Sequence, residues 1–435
     1  MTVTWPFATF ASMPPVLIER AKGAYLYDAS GREILDAAGG AIAVNVGHGR
    51  AEVANAMRDA AVECSYAVPP WLTPQRERLI ERLLRDWLPP RLTRVHLTAS
   101  GSEGVETLVK IALEYHAARG REKKTKIIAR TPSYHGTTLG ALAVSGHASR
   151  RFGLDHALPP MPDVPAPYAL RCPDADVGNY CIRALKERIH REDPKTVAGI
   201  LAEPIVGASG GALVPPDGYW QAVRAFCDEY DILLLADEVM CGFGRTGTRF
   251  ALDRWGVEAD LMVAGKGLGG GYAPITGVFG TEAVAHALQQ AGMNVMFHTF
   301  AAHPAACAAA DKVLEILDRE CLVERAAKTG ETLKSQLADA LADHPHVAEV
   351  RGAGLLVAVE VVEDRESLAR YPADDRVTTR ITSSAYRRGV SFYPGGTGVQ
   401  RDIIMIGPPF NIGEREVGRI VETLVAAVDD VTREG

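Results

Sequence analysis

A lysine held between glycines, Gly265-Lys266-Gly267, follows the apolar run Leu261–Ala264. Short continuous apolar runs read as buried strands, so Lys266 stands at a strand end rather than on a solvated face. Glycine neighbours let the backbone approach a ligand closely. An amine in such a place sheds its charge readily and then works as a nucleophile or general base. An acid occupies the matching position elsewhere: Asp237 follows the run at 232–236 (ILLLA). A carboxylate ending a buried strand is costly without a cation; the alternative is that Asp237 caps the next turn.

Two more groups stand after strand-like runs. Ser100-Gly101-Ser102-Glu103-Gly104 follows 94–98 and opens a helix predicted over 105–119. Backbone N–H groups and a hydroxyl at a helix start suit a phosphate, and an ordinary N-cap with Glu106 in the first turn accounts for the same residues. Ser133-Tyr134-His135-Gly136 follows 126–129 and puts Tyr134 where it stacks on a flat ring or simply packs. Val239, two residues beyond Asp237, faces the same side. Together these match the needs of pyridoxal 5′-phosphate: an amine to form an imine, an anion to keep the ring nitrogen protonated, a phosphate cradle, and flat or apolar groups on the ring faces.

The elements that must position them alternate. Apolar runs at 94–98, 126–129, 197–202, 232–236 and 261–264 are separated by helical periodicity at 105–119 and 219–230, with another helix at 305–318. That pattern predicts an α/β fold, a mostly parallel sheet covered by helices on both faces. Ligands then bind beyond the carboxyl ends of the strands, where the four groups lie. Residues 22–37 read as a hairpin, 51–64 and 74–87 as helices, and the Pro-rich stretch 158–173 as an excursion over the surface. A strand at 351–361, a helix ending at 385–389 and a strand at 403–406 predict a smaller α+β lobe. The expected division is 51–318 as the large domain, 319–435 as the small one, and 1–50 joining the small lobe.

Composition excludes several classes. The 435 residues carry a formal net charge of −7, with 47% hydrophobic and 23% charged side chains, and this gives no surface for nucleic acid. The basic stretch at 119–126 reads as a solvated turn. No apolar run reaches the ~18 residues of a membrane helix, and the N-terminal residues lack the features of a secretory leader. The 7 cysteines form no CxxC pair, which points to a cytoplasmic enzyme with reduced thiols and no metal. Gly265–Gly270 fits G-x-G-x-x-G, but a strand rather than a helix follows it. Gly207-Ala208-Ser209-Gly210-Gly211 fits the serine elbow, but Pro215-Pro216 interrupts the helix that motif needs. His298 and His303 have no ligand-like companions.

The stretches SGSEGVET, SYHGTTLGALAVSG, AEPIVGASGGALVPPDGYW, LLADEVMCGFGRTG, AGKGLGGGYAPITGVFG and HTFAAHPAACAA resemble the signatures of class III aminotransferases of fold type I, from about residue 40 to about 410. The resemblance implies that Lys266 carries the cofactor as an internal aldimine and that Asp237 pairs with its ring nitrogen. It implies that Val239 and Tyr134 enclose the ring, and that Glu203 and His135 join the cofactor contacts. Gly101 and Ser102 would bind phosphate, completed by Thr299 from the other subunit of a homodimer, alone or within a dimer of dimers. Met240 stands where many members have glutamine, and Ala208 where members acting on 4-aminobutyrate or ornithine have glutamate. The pattern is closest to the ω-amine–pyruvate type. Ile42 and Trp71 are then expected in the substrate pocket, and Arg401 on a carboxylate, although the usual arginine falls nearer Gly398. The implied reaction moves an amino group from an amine or amino acid to a keto acid, pyruvate first. Racemases, an aminomutase and a decarboxylase share the same cofactor set, and a hydrolase using Ser209 is the alternative of another class.

Overall fold

The computed structural model describes residues 16–433; the residues that bear on a leader, and the first part of segment 1–50, lie outside the described residues. Seven strands form the central sheet: β1 (Leu92–Thr98), β2 (Lys126–Thr131), β3 (Asp163–Pro165), β4 (Val197–Ala202), β5 (Leu233–Asp237), β6 (Leu261–Ala264) and β7 (Thr276–Thr281). Their order is β1-β7-β6-β5-β4-β2-β3. The pairs from β3 to β6 are parallel, and β7 runs antiparallel to β1 and β6.

Alternate residues of β5 and β6 enter two apolar clusters. Leu233, Leu235, Leu261 and Val263 pack with Val105, Leu108 and Ala112 of the helix Gly101–Ala118. Leu234, Ala236, Met262 and Ala264 belong with Val223 of the helix Tyr219–Tyr230 and Val313 of the helix Pro304–Arg319. Both faces are dry, so these strands carry no polar alternation. The mostly parallel α/β sheet with helices on both faces is as expected.

Several local readings need correction. The helix expected from residue 105 begins at Gly101, because the Ser100 side chain accepts from the Glu103 N–H at 3.2 Å and caps it. Gly104 sits inside that helix where a Cβ would lie 2.7 Å from Val263 Cγ2, so close packing on the sheet outweighs its poor propensity. The supposed surface excursion contains β3, an edge strand, where Pro165 loses no ladder bond that the sheet needs. The single strand at 351–361 is a hairpin of Val347–Ala353 and Leu356–Val361, turned at Gly354 with φ +53°. In the basic stretch Lys124 is buried, donating to the carbonyls of Val197, Tyr230 and Asp231 at 3.0, 3.2 and 2.7 Å.

The hairpin forms a second sheet with Ile403–Ile406 and Tyr393–Gly395. A third contains Ile18–Lys22, Tyr25–Asp28 and Glu33–Asp36, closed by Val390–Ser391 running parallel to Leu35 and Asp36. The second sheet is tied to the chain after β3 by a buried charge cluster. Glu360 Oε1 accepts from Arg171 at 3.0 and 2.8 Å, while its Oε2 meets Arg351 Nη1 at 2.8 Å and accepts from the Tyr168 hydroxyl. Removing one member strands the rest without compensation. Glu360→Gln should therefore lower stability by about 3–5 kcal/mol, read as a fall in the denaturation midpoint.

Candidate active site

Because β1, β2, β4, β5 and β6 run in one direction, their carboxyl ends share one edge of the sheet. The residues following them enclose a cavity of about 310 Å³. Ser100, Gly101 and Ser102 come from β1, and Tyr134, His135 and Gly136 from β2. Glu203 follows β4, Asp237, Val239 and Met240 stand at β5, and Lys266 follows β6. Ala41, Ala208 and Tyr393 complete the wall.

The acid pair lies at the cavity floor. Asp237 is 3% exposed; its Oδ2 meets His135 Nδ1 at 2.7 Å, and its Oδ1 accepts from the Val239 N–H at 3.0 Å. His135 is anchored by its own N–H to Ser145 Oγ at 2.9 Å, while its Nε2 is buried without a partner among the described residues. Glu203 accepts from the N–H groups of Tyr134 at 3.0 Å and Gly207 at 2.7 Å. Burial raises its pKa, with His135 and the two N–H groups opposing and Asp237 reinforcing the rise.

Lys266 lines the cavity with a left-handed backbone, φ +41°. Burial pulls its amine below the ordinary 10.5, against the upward pull of Asp237 and Glu203. The flanking glycines are hemmed in by protein. A Cβ at Gly265 would meet Thr276 Oγ1 at 2.4 Å, and one at Gly267 would meet Phe243 Cβ at 3.0 Å.

Opposite, the first N–H groups of the helix Gly101–Ala118 have no intrahelical acceptor. Ser102 Oγ accepts from the Thr137 N–H at 3.0 Å, and both walls leave little room for a side chain at their glycines. A Cβ at Gly101 would meet Val239 Cγ1 at 3.2 Å, and one at Gly136 Ser102 Oγ at 2.7 Å. An anion-accepting helix start, a dry carboxylate, a lysine of lowered pKa, and Tyr134 and Val239 in one cavity fit the four requirements of pyridoxal phosphate.

Four expected residues lie outside the cavity wall. Ile42 is buried with φ +58° and packs at Gly407, leaving Ala41 to line the cavity. Trp71 is 70% exposed and absent from the wall. Arg401 donates to the Tyr371 carbonyl at 3.2 and 2.8 Å, with Asp402 Oδ2 at 3.8 Å, and also stays outside. Thr299 is exposed, its carbonyl accepting from the Tyr66 hydroxyl at 3.0 Å. Tyr393 was missed because nothing near it in the sequence marks a reach across from the second sheet. Ser209 is buried, and its hydroxyl has no hydrogen-bond partner among the described residues.

The family model for class III aminotransferases matches residues 7–428. The chain belongs to the class III aminotransferases. It is 37% identical to a hypotaurine/taurine–pyruvate aminotransferase of Paracoccus denitrificans over 88% of this chain and 84% of that one. It is 33% identical to a putrescine–pyruvate aminotransferase of Pseudomonas aeruginosa, covering 93% and 88%. An ω-transaminase of Pseudomonas jessenii solved in complex with PMP superposes with a TM-score of 0.91 at 34% identity, covering 97% of this chain and 93% of that one. This class III aminotransferase is thus a fold type I enzyme that transaminates with pyridoxal phosphate.

The lowered Lys266 pKa has a thermodynamic consequence for the cofactor-free protein. Between the folded-state value and 10.5 the unfolded chain binds the extra proton, so stability rises with pH through that window. Lys266→Met should be the more stable protein at neutral pH, with its advantage over wild type shrinking as pH approaches 10.5. Denaturation of both proteins across that range measures it, and a gap that widens with pH contradicts the assignment.

Proposed function

We propose that Lys266 binds the cofactor and serves as the general base, that Asp237 holds the ring nitrogen's proton, and that pyruvate is the acceptor for an apolar amine. The observation that carries this reading is the shared cavity of a low-pKa lysine and a buried, doubly bonded Asp237. When bound, pyridoxal phosphate supplies the sink for the electron pair left on the substrate carbon. The Lys266 amine, its affinity for a proton lowered by burial, removes the proton from that carbon and returns it. His135 fixes Asp237, and its hydrogen bond keeps the carboxylate directed into the cavity. Tyr134 and Val239 flank the ring, the helix start at Gly101 and Ser102 takes the phosphate, and Glu203 orders the Tyr134 backbone. Ala208 leaves the substrate side apolar, which favours an amine without a second charge; the pyruvate-named relatives support the acceptor.

The assembly we propose is a homodimer in which Thr299 serves the partner's cofactor and Trp71 and Ile42 stay at or near the shared site. Segments 66–72 and 296–300 support it. They expose Trp71, Leu72, Met296, Phe297 and Phe300, and are joined by a Tyr66–Phe300 ring contact at 6.2 Å. Apolar exposure of this kind marks an association surface. We also propose that residues 51–318 form the cofactor-binding unit, with 1–50 and 319–435 forming the smaller one, and that the enzyme is cytoplasmic. No helix among the described residues is long and apolar enough to cross a membrane, and all 7 cysteines are unpaired.

Borohydride reduction of the yellow enzyme followed by peptide mapping should place the adduct on Lys266; an adduct on another lysine sinks the assignment. Asp237→Asn should fold normally and lose far more than the tenfold in kcat that ~1.4 kcal/mol represents, and near-normal turnover removes Asp237 from the mechanism. For the shared site, a Lys266→Ala/Thr299→Ala heterodimer should keep one intact site and about half the activity. A heterodimer confirmed by mass yet lacking any normal site shows that Thr299 acts within its own chain.

A further inference from the structure

The turn that presents Lys266 is unfavourable backbone, and part of what holds it comes from outside the cavity. Lys266, Gly270 and Gly271 have positive φ, at +41°, +57° and +85°. Within the turn the Gly265 carbonyl accepts from the Leu268 N–H at 3.0 Å, and the Lys266 carbonyl from Gly269 and Gly270 at 3.1 and 3.0 Å. The Gly267 carbonyl, next to the lysine, has no such partner inside the turn. Its donor comes from a segment distant in sequence, Asn45 Nδ2 at 2.8 Å. No other hydrogen bond reaches that carbonyl among the described residues.

Asn45 is itself firmly held. It is 1% exposed, and its Oδ1 accepts from the Val46 N–H at 2.8 Å, which settles the end of the amide that faces Gly267. A Cβ at Gly270 would lie 2.9 Å from that oxygen and one at Gly267 3.1 Å from the nitrogen, so the amide is pressed against both ends of the turn. The segment carrying it is braced as well. The Asn45 carbonyl accepts from the Phe410 N–H at 2.8 Å. Arg245 Nη2 donates to the Val44 carbonyl at 2.9 Å, and the Tyr272 hydroxyl to the Gly47 carbonyl at 2.7 Å. Asn45 is absent from the cavity wall, so whatever it does for the chemistry passes through the turn.

We propose that Asn45 is a positioning residue for the reaction: its amide locks the turn at Gly267 and so keeps the Lys266 amine aimed into the cavity. The assignment rests on the Lys266 reading above. Without the amide, the Gly267 carbonyl turns to find another donor, and a glycine resists that rotation least of all residues. The lysine backbone beside it moves in response. An amine displaced in this way reaches the substrate carbon less well, while the cavity that binds the substrate is unaltered.

The test compares wild type, Asn45→Ala, Asn45→Leu and Tyr272→Phe, each purified with its cofactor. Asn45→Leu keeps the shape of the side chain and removes the donor. Tyr272→Phe breaks a different bond to the same segment and leaves the Gly267 carbonyl alone. In both Asn45 variants kcat should fall roughly tenfold to a hundredfold, with the KM of the amine and of pyruvate within about twofold of wild type. The pH midpoint of the resting enzyme's visible absorbance, which reports the proton on the lysine–cofactor bond, should move by about one pH unit, a tenfold change in proton affinity. Tyr272→Phe should match wild type in kcat, KM and absorbance midpoint, even where its denaturation midpoint falls as far as that of the Asn45 variants. An unmoved kcat or absorbance midpoint in Asn45→Leu, a loss carried by KM, equal kinetic losses in Tyr272→Phe, or failure of both Asn45 variants to fold makes Asn45 a structural residue and overturns the proposal. A borohydride adduct away from Lys266 in wild type instead refutes the lysine reading on which it rests.

Discussion

Holding an amine and a carboxylate together in a dry place is the constraint on which the rest of this structure depends. Neither charge is stable there alone. Asp237 is made tolerable by His135 and the Val239 N–H, and Lys266 by losing part of its affinity for a proton. Both conditions require a fully covered sheet, with β5 and β6 side by side in its centre and helices on each face. The parallel direction of β1, β2 and β4 to β6 follows, because only then do five successive turns open on one cavity.

Much of this was legible before any coordinates. Val197–Ala202 and Leu261–Ala264 match their expected strands residue for residue, since both are short, wholly apolar and sharply ended. The expected residues that the cavity wall contains stand where they do for the same reason: they lie at or just beyond strand ends, so sequence position fixes spatial position. The expected residues that the cavity wall does not contain share the opposite property. Ile42, Trp71 and Arg401 sit on irregular chain or at its ends, where neighbours distant in sequence decide which way a side chain points. Tyr393 reaches the cavity from another sheet, and Lys124 is buried by three carbonyls from two distant segments. No window of sequence contains those partners.

The glycines beside the lysine teach a narrower lesson. The expectation was that they let backbone approach a ligand, yet the groups they accommodate are Thr276 and Phe243. The lysine was singled out by a feature whose cause is packing. Chemistry and packing coincide here because the turn that presents the amine must also pass tightly between β7 and the loop after β5.

Lys266 itself holds a backbone angle, φ +41°, that side-chain-bearing residues adopt only at a cost of order 1–3 kcal/mol. The fold would be more comfortable with glycine at this position. Descendants of this gene released from selection for the reaction would thus gain by losing the lysine, so its replacement should be among the earliest scars of disuse.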